Sequence, residues 1–144
     1  MSQLINIGSL CIDYVYSVTE VAKVGETVAC QSMSVFPGGK GLNQSIAAAK
    51  AGIKVVHFGA VGTDGFELVE FMQAAGVGVS NIVSLPGRTG HAVIQINSRG
   101  ENSIVIAGGT NRELPQKMIS NAVALAKKGG GWILMQNETN DVGE

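Results

Sequence analysis

The stretch PGGKGLNQSIAAAKAG, Pro37 to Gly52, sets three glycines around one lysine and then runs into an alanine-rich segment of helical character. Glycine loses more backbone freedom on folding than any other residue, so a run of it before a good helix is costly unless something must come close to the backbone. A turn of small residues at a helix mouth lets an oxygen-rich ligand approach backbone N–H groups that lack a partner inside the helix. Lys40 and Asn43 then face the same space. On residue types alone, the glycines serve a tight strand-to-helix turn equally well. Two phosphate-binding patterns do not fit. A P-loop needs Gly five residues before its last Gly and Ser or Thr after its Lys, where Ser34 and Gly41 stand. GAVGTDG, Gly59 to Gly65, has its glycines at the wrong intervals for a dinucleotide fingerprint.

Working outward, Leu42, Ile46, Ala49 and Ile53 recur at near-helical spacing, with Ala47, Ala48 and Ala51 keeping a helix slim against a sheet and Gly52 closing it. QLINIGS, KVVHFGAVG and GWILMQ read as core strands. DYVYSV and Glu26 to Phe36 alternate apolar and polar positions, as strands with one wet face do, and look peripheral. TDGFELVEFMQAAG reads as a helix with Asp64 as N-cap, Glu67 completing a capping box, and Leu68, Phe71, Met72 and Ala75 on one apolar face. HAVIQINSRGENSIVIAGG reads as a hairpin with Ala92, Ile94 and Ile96 on one side and a turn at Ser98 to Asn102. Pro115 suits the first position of a helix carrying Met118, Ala122 and Leu125, ending at Lys127 and Lys128 before Gly129. Strands alternating with helices imply an α/β domain with a mostly parallel sheet, and 144 residues suffice for a single core.

With 45% apolar residues, 15% charged ones and a net charge of −1, nothing draws the chain toward nucleic acid or an anionic membrane. No apolar run approaches a membrane span and Met1 to Leu10 lacks a signal peptide, so a cytoplasmic protein is expected. Cys11 and Cys30 are expected to be buried reduced thiols. With His57 and His91 they lack metal-ligand spacing, so no metal site is expected.

In order, IGSLCIDYVYSV, the GET of Gly25 to Thr27, GGKGLNQ, GAVGTD, TGHAVIQINSRGEN leading to GGTN, and MQNET resemble the ribokinase-like (PfkB) family of carbohydrate kinases along the whole chain. The resemblance implies a sugar site at the ends of the sheet, covered by a small β-strand lid at about 11–36 and 90–107. It implies that Asp13, Gly38, Gly39, Lys40, Asn43 and Glu138 bind the substrate, a pentose or hexose. A carboxylate suits vicinal hydroxyls, and amide and ammonium groups donate to their oxygens. Ala92, Ile94 and Ile106 match apolar lid contacts, or plain hairpin core. Cys11 stands where the ribokinase branch has an asparagine, and a thiol is a poor hydrogen-bonding group.

Family members are considerably longer and use ATP and Mg, and their second half carries the catalytic aspartate, anion hole and nucleotide pocket. The chain therefore reads as a truncated N-terminal portion, 1–144, with no catalytic residue of its own, expected to bind no ATP or Mg and to be inactive alone. A homodimer through the lid strands or an exposed sheet edge is expected. A non-enzymatic sugar- or protein-binding remnant and one half of a split kinase are the alternatives.

Overall fold

The computed structural model describes residues 3–140. Eight strands and three α-helices follow one another as β1 (Leu4–Ile7), β2 (Cys11–Ser17), β3 (Ser32–Gly38), α1 (Lys40–Lys50), β4 (Val55–Val61), α2 (Phe66–Ala74), β5 (Gly78–Ser84), β6 (Gly90–Ile96), β7 (Asn102–Ala107), α3 (Gln116–Gly129) and β8 (Trp132–Met135). A short 3-10 helix, Gly109–Arg112, follows β7. Two four-stranded sheets result, a parallel one in the order β5-β4-β1-β8 and a mixed one in the order β3-β2-β6-β7.

The parallel sheet is covered on both faces, as crossover helices require. On one side Ile5, Ile7, Phe58 and Ala60 pack against Leu114, Met118, Ala122 and Ala126 of α3 and the segment before it. On the other, Val55 and Leu10 meet Leu42 of α1 and Leu68 and Met72 of α2. Burying a side chain such as Leu42, 1% exposed, contributes about 2 kcal/mol. No helix among the described residues is long and apolar enough to cross a membrane.

Several sequence expectations shift in detail. Glu26 to Gln31 is not strand: β2 offers seven residues, all paired with Ser32–Gly38, so nothing remains for the earlier residues to pair with. Pro37, which cannot donate to a ladder, is tolerated because β3 is an edge strand. β5 was not anticipated, since its Gly, Ser and Asn dilute the apolar pattern. Asp64 does not cap α2. Gly65 is the N-cap without a side-chain bond, while Asp64 accepts from Arg88 Nε at 2.6 Å and Thr89 N at 2.8 Å. Phe71 is 48% exposed and lies off the core face. Ile53 falls beyond α1 and is exposed, and Ser45 takes a place on the helix's buried stripe. Pro115 precedes α3 as its N-cap, and the left-handed residue that ends the helix is Gly130. β8 lies at the edge of the sheet, with β1 its only partner among the described residues, and Trp132, Ile133 and Met135 are exposed there. Cys30 is exposed in the irregular segment before β3, while Cys11 is buried.

Between the sheet and α1 the packing turns polar. Asn6 on β1 and His57 on β4 are register partners, and both are fully buried with Ser45 of α1. Asn6 Nδ2 donates to Ser45 Oγ at 2.8 Å, and Ser45 Oγ meets His57 Nδ1 at 2.8 Å. His57 Nε2 lies 3.2 Å from the Gly8 carbonyl. A carbonyl only accepts, so Nε2 carries the proton and Nδ1 accepts from the serine hydroxyl.

Burial pushes the His57 imidazole down to about 4 from its ordinary 6.5, against a smaller opposing pull from the Gly8 carbonyl. As pH falls, the unfolded chain takes up this proton first. The contribution is complete above about pH 6.5 and is lost on descending toward pH 4, about 3 kcal/mol in all. Urea midpoints should fall between about pH 7 and pH 4.5, and His57→Phe should shrink that difference. A pH dependence that survives the substitution unchanged would contradict this assignment.

Candidate functional site

The carboxyl ends of parallel strands are where ligands bind in open α/β sheets, and here that end is shaped by glycines. The first turn of α1 lies directly on the β1–β2 connection. A methyl group placed on Gly41 would sit 2.5 Å from Gly8 C and from Ser9 N, and one on Gly8 would sit 2.6 Å from Gly41 Cα. Gly39 has φ +99°, a left-handed conformation that turns β3 into the helix and leaves no space for a Cβ beside Ser9 O, at 2.7 Å.

The helix's first donors are met from outside it. Leu42 N bonds Ser9 O at 3.0 Å, Gly41 N bonds Ser9 Oγ at 3.3 Å, and Lys40 N bonds Glu138 Oε2 at 3.2 Å. The sequence suggested a turn whose amides await a ligand; in the structure the amides of Lys40, Gly41 and Leu42 already have protein acceptors. Glu138, which follows β8, also accepts from Ser9 Oγ at 2.7 Å and pairs with Lys40 Nζ.

Above the turn, the second sheet supplies a wall. Asp13, Ala92 and Ile106 are neighbours across β2, β6 and β7, and Val15, Ile94 and Ile104 form the next row on the same face. Between this wall and the turn lies a cavity of about 520 Å³, within the range of small-molecule sites. Asp13, Gly39, Lys40, Asn43 and Glu138 line it together with Ala92, Ile94 and Ile106. Gly38 is not part of the lining. It packs behind Asp13, where a Cβ would meet the carboxylate at 2.2 Å.

Ser9, Cys11, Gly108, Asn111, Arg112 and Asn137 complete the polar side of the cavity. Of these, sequence reasoning had singled out Cys11 alone, although GGTN and MQNET contain several of the others. Asn111 is buried and holds the β1–β2 connection, accepting from Leu10 N at 2.9 Å and donating to Leu10 O at 2.8 Å. The side chains of Asp13, Asn43, Arg112 and Asn137 make no hydrogen bond to another described residue, so their capacity faces the cavity or solvent.

The electrostatics follow from this crowding. Burial, and then the charge on Glu138, raises the Asp13 carboxyl above its ordinary value. Burial also pushes Glu138 up, but hydrogen bonds from Lys40 Nζ, Ser9 Oγ and Lys40 N, with the lysine charge, hold it below the usual carboxylate value. Burial and the charges of Asp13 and Glu138 push the Cys11 thiol up to about 11, so it stays protonated. Glu138→Gln is expected to lower the midpoint of Asp13, followed by carboxyl ¹³C NMR, while burial keeps it above the ordinary value. A midpoint that stays put or rises would contradict the coupling.

The pfkB family carbohydrate kinase profile matches residues 1–140. The ribokinase of Haemophilus influenzae is 35% identical over 136 residues, covering 92% of this chain and 44% of its own length. Among solved structures, ribokinase from Cryptococcus neoformans in complex with ADP superposes with a TM-score of 0.83 at 36% identity, covering 96% of this chain and 42% of that one. Arabidopsis thaliana ribokinase complexed with ribose and ATP gives 0.84 at 31% identity, covering 98% and 47%. The chain thus spans less than half the length of each of these three relatives.

Proposed function

The chain belongs to the pfkB family of carbohydrate kinases, and from that premise we propose that its cavity is the sugar side of such a kinase. Residues 1–144 are the N-terminal portion of a ribokinase-like domain, and the sheet β3-β2-β6-β7 is its lid. The observation that carries this reading is the set of polar side chains with unused hydrogen-bonding capacity, Asp13, Asn43, Arg112 and Asn137, around one cavity roofed by Ala92, Ile94 and Ile106. A carboxylate held beside a second acidic group accepts well from two vicinal hydroxyls. Asn43 donates and accepts, and the apolar roof excludes water from these bonds. A pentose or hexose fits this chemistry. Cys11 offers the sugar only a weak partner, which narrows the hydroxyls the site rewards.

Phosphoryl transfer from ATP and Mg is the chemistry the family supplies. Among the residues in hand Lys40 is engaged by Glu138, and none is assigned to that donor. No transfer step is assigned to them, and we infer that the chain alone binds sugar without phosphorylating it.

Calorimetry with ribose on mass-verified protein tests the reading. Weak saturable binding is expected, weakened about tenfold or more by Asp13→Asn and strengthened several-fold by Cys11→Asn. In a coupled assay with MgATP no turnover above background is expected. Ribose binding that is absent, or indifferent to Asp13, overturns the site; turnover by the chain alone overturns its inactivity.

The lid face opposite the Asp13 row leaves Val35, Val93 and Val105 exposed, at 52%, 38% and 68%. Self-association of two lids would cover such a surface, and we assign it that role. Light scattering at micromolar concentration should give a dimer mass; a monomer would contradict the assignment.

A further inference from the structure

The layer between a parallel sheet and its helix is normally apolar, yet this one holds Asn6, Ser45 and His57, each with no exposed surface, and Gln136 at 8%. None of them lines the cavity. Each would cost stability unless bonded, so their presence asks what the bonds hold.

Their bonds end on the backbone that builds the site. Asn6 Nδ2 donates to Gly41 O at 2.9 Å as well as to Ser45 Oγ. Gly41 is the residue after Lys40. His57 Nε2 donates to Gly8 O, one residue before Ser9, whose hydroxyl bonds both Glu138 and Gly41 N. Gln136, two residues before Glu138 in the chain, donates from Nε2 to Asn6 Oδ1 at 2.7 Å and also to Gln44 Oε1. Room is kept for the ring as well: a methyl on Gly59 would meet His57 Nε2 at 2.9 Å.

We propose that Asn6, Ser45 and His57 form a buried positioning relay that sets the Gly39–Gly41 turn against Ser9 and Glu138, with His57 as the residue that fixes the Gly8–Ser9 end. The relay touches no ligand. It acts by holding the acceptors of the first turn of α1 at bonding distance, so that Lys40 and Glu138 meet the ligand in one arrangement. Its effect on affinity rests on the sugar-binding reading; its effect on the turn does not.

Two substitutions divide the imidazole's roles. His57→Gln keeps a donor where Nε2 stands and loses the acceptor for Ser45. His57→Asn keeps the acceptor where Nδ1 stands and loses the donor to Gly8 O. Both remove a buried ring and should lower the melting temperature. Measured well below unfolding, ribose affinity should stay within about threefold in His57→Gln and fall about tenfold or more in His57→Asn. Amide hydrogen exchange reads the same difference without sugar. Leu42, whose N–H is held by Ser9 O, should exchange about tenfold faster in His57→Asn and little faster in His57→Gln, with Ala122 on α3 as the reference. If the unmodified chain binds no ribose, the sugar reading fails and the exchange arm still decides. Leu42 and Ala122 accelerating equally, or the two variants behaving alike at Leu42, would overturn the relay.

Discussion

Everything at this site depends on one backbone-to-backbone contact, the first turn of α1 resting on Gly8 and Ser9 with no side chain between them. Gly8 and Gly41 permit it because each faces the other at a distance that no Cβ would survive. The contact brings Ser9 O and Oγ to the first donors of the helix and draws Glu138 over the same turn. Without it, Lys40 and Glu138 would belong to separate elements. Helix N-termini ordinarily rely on a local Ser, Thr or Asp for capping. Here Gly39 offers no side chain, and residues remote in sequence take over the task.

The arrangement exchanges local independence for a shared site. A serine from one strand end, a glutamate from another and a glycine turn from a third segment must fold together before any of their bonds can form. A polar layer beneath them is the physical counterpart of that requirement. Asn6, Ser45 and His57 are fully bonded in one direction, from amide to hydroxyl to imidazole to carbonyl, which makes their burial tolerable. The second sheet adds a different element. Asp13 is the one charged residue it contributes to the cavity lining, beside Ala92, Ile94, Ile104 and Ile106, and the carboxylate is raised by burial and then by the charge on Glu138.

Much of this was legible in the sequence, and what was not has physical causes. The glycine turn, α1 and the β6–β7 hairpin announce themselves through local signals, glycine clusters and apolar periods of 3.6 and 2. The convergence of Asp13, Lys40, Asn43 and Glu138 came from the family resemblance, because no local pattern relates residues so far apart. β5 escaped because a strand interrupted by Gly, Ser and Asn carries little alternation. The capping box at Asp64 misled because Arg88 and Thr89, brought near only by the fold, compete for the same carboxylate. The relay was invisible for a related reason. His57 reads as one polar residue in an apolar strand until its register partner Asn6 and the facing Ser45 are seen beside it.

On the proposed function, this contact assembles one polyol site from Asp13, Lys40, Asn43 and Glu138. A titration of isotopically labelled protein with ribose, followed through backbone amide resonances, tests it most directly. Saturable shifts are expected at Gly39, Lys40, Asn43, Ala92 and Asn111, sharing one dissociation constant, while the solvent-facing amides of α3 stay in place. Resonances that remain still in a large excess of ribose, or that move only away from the turn and Asp13, would contradict it.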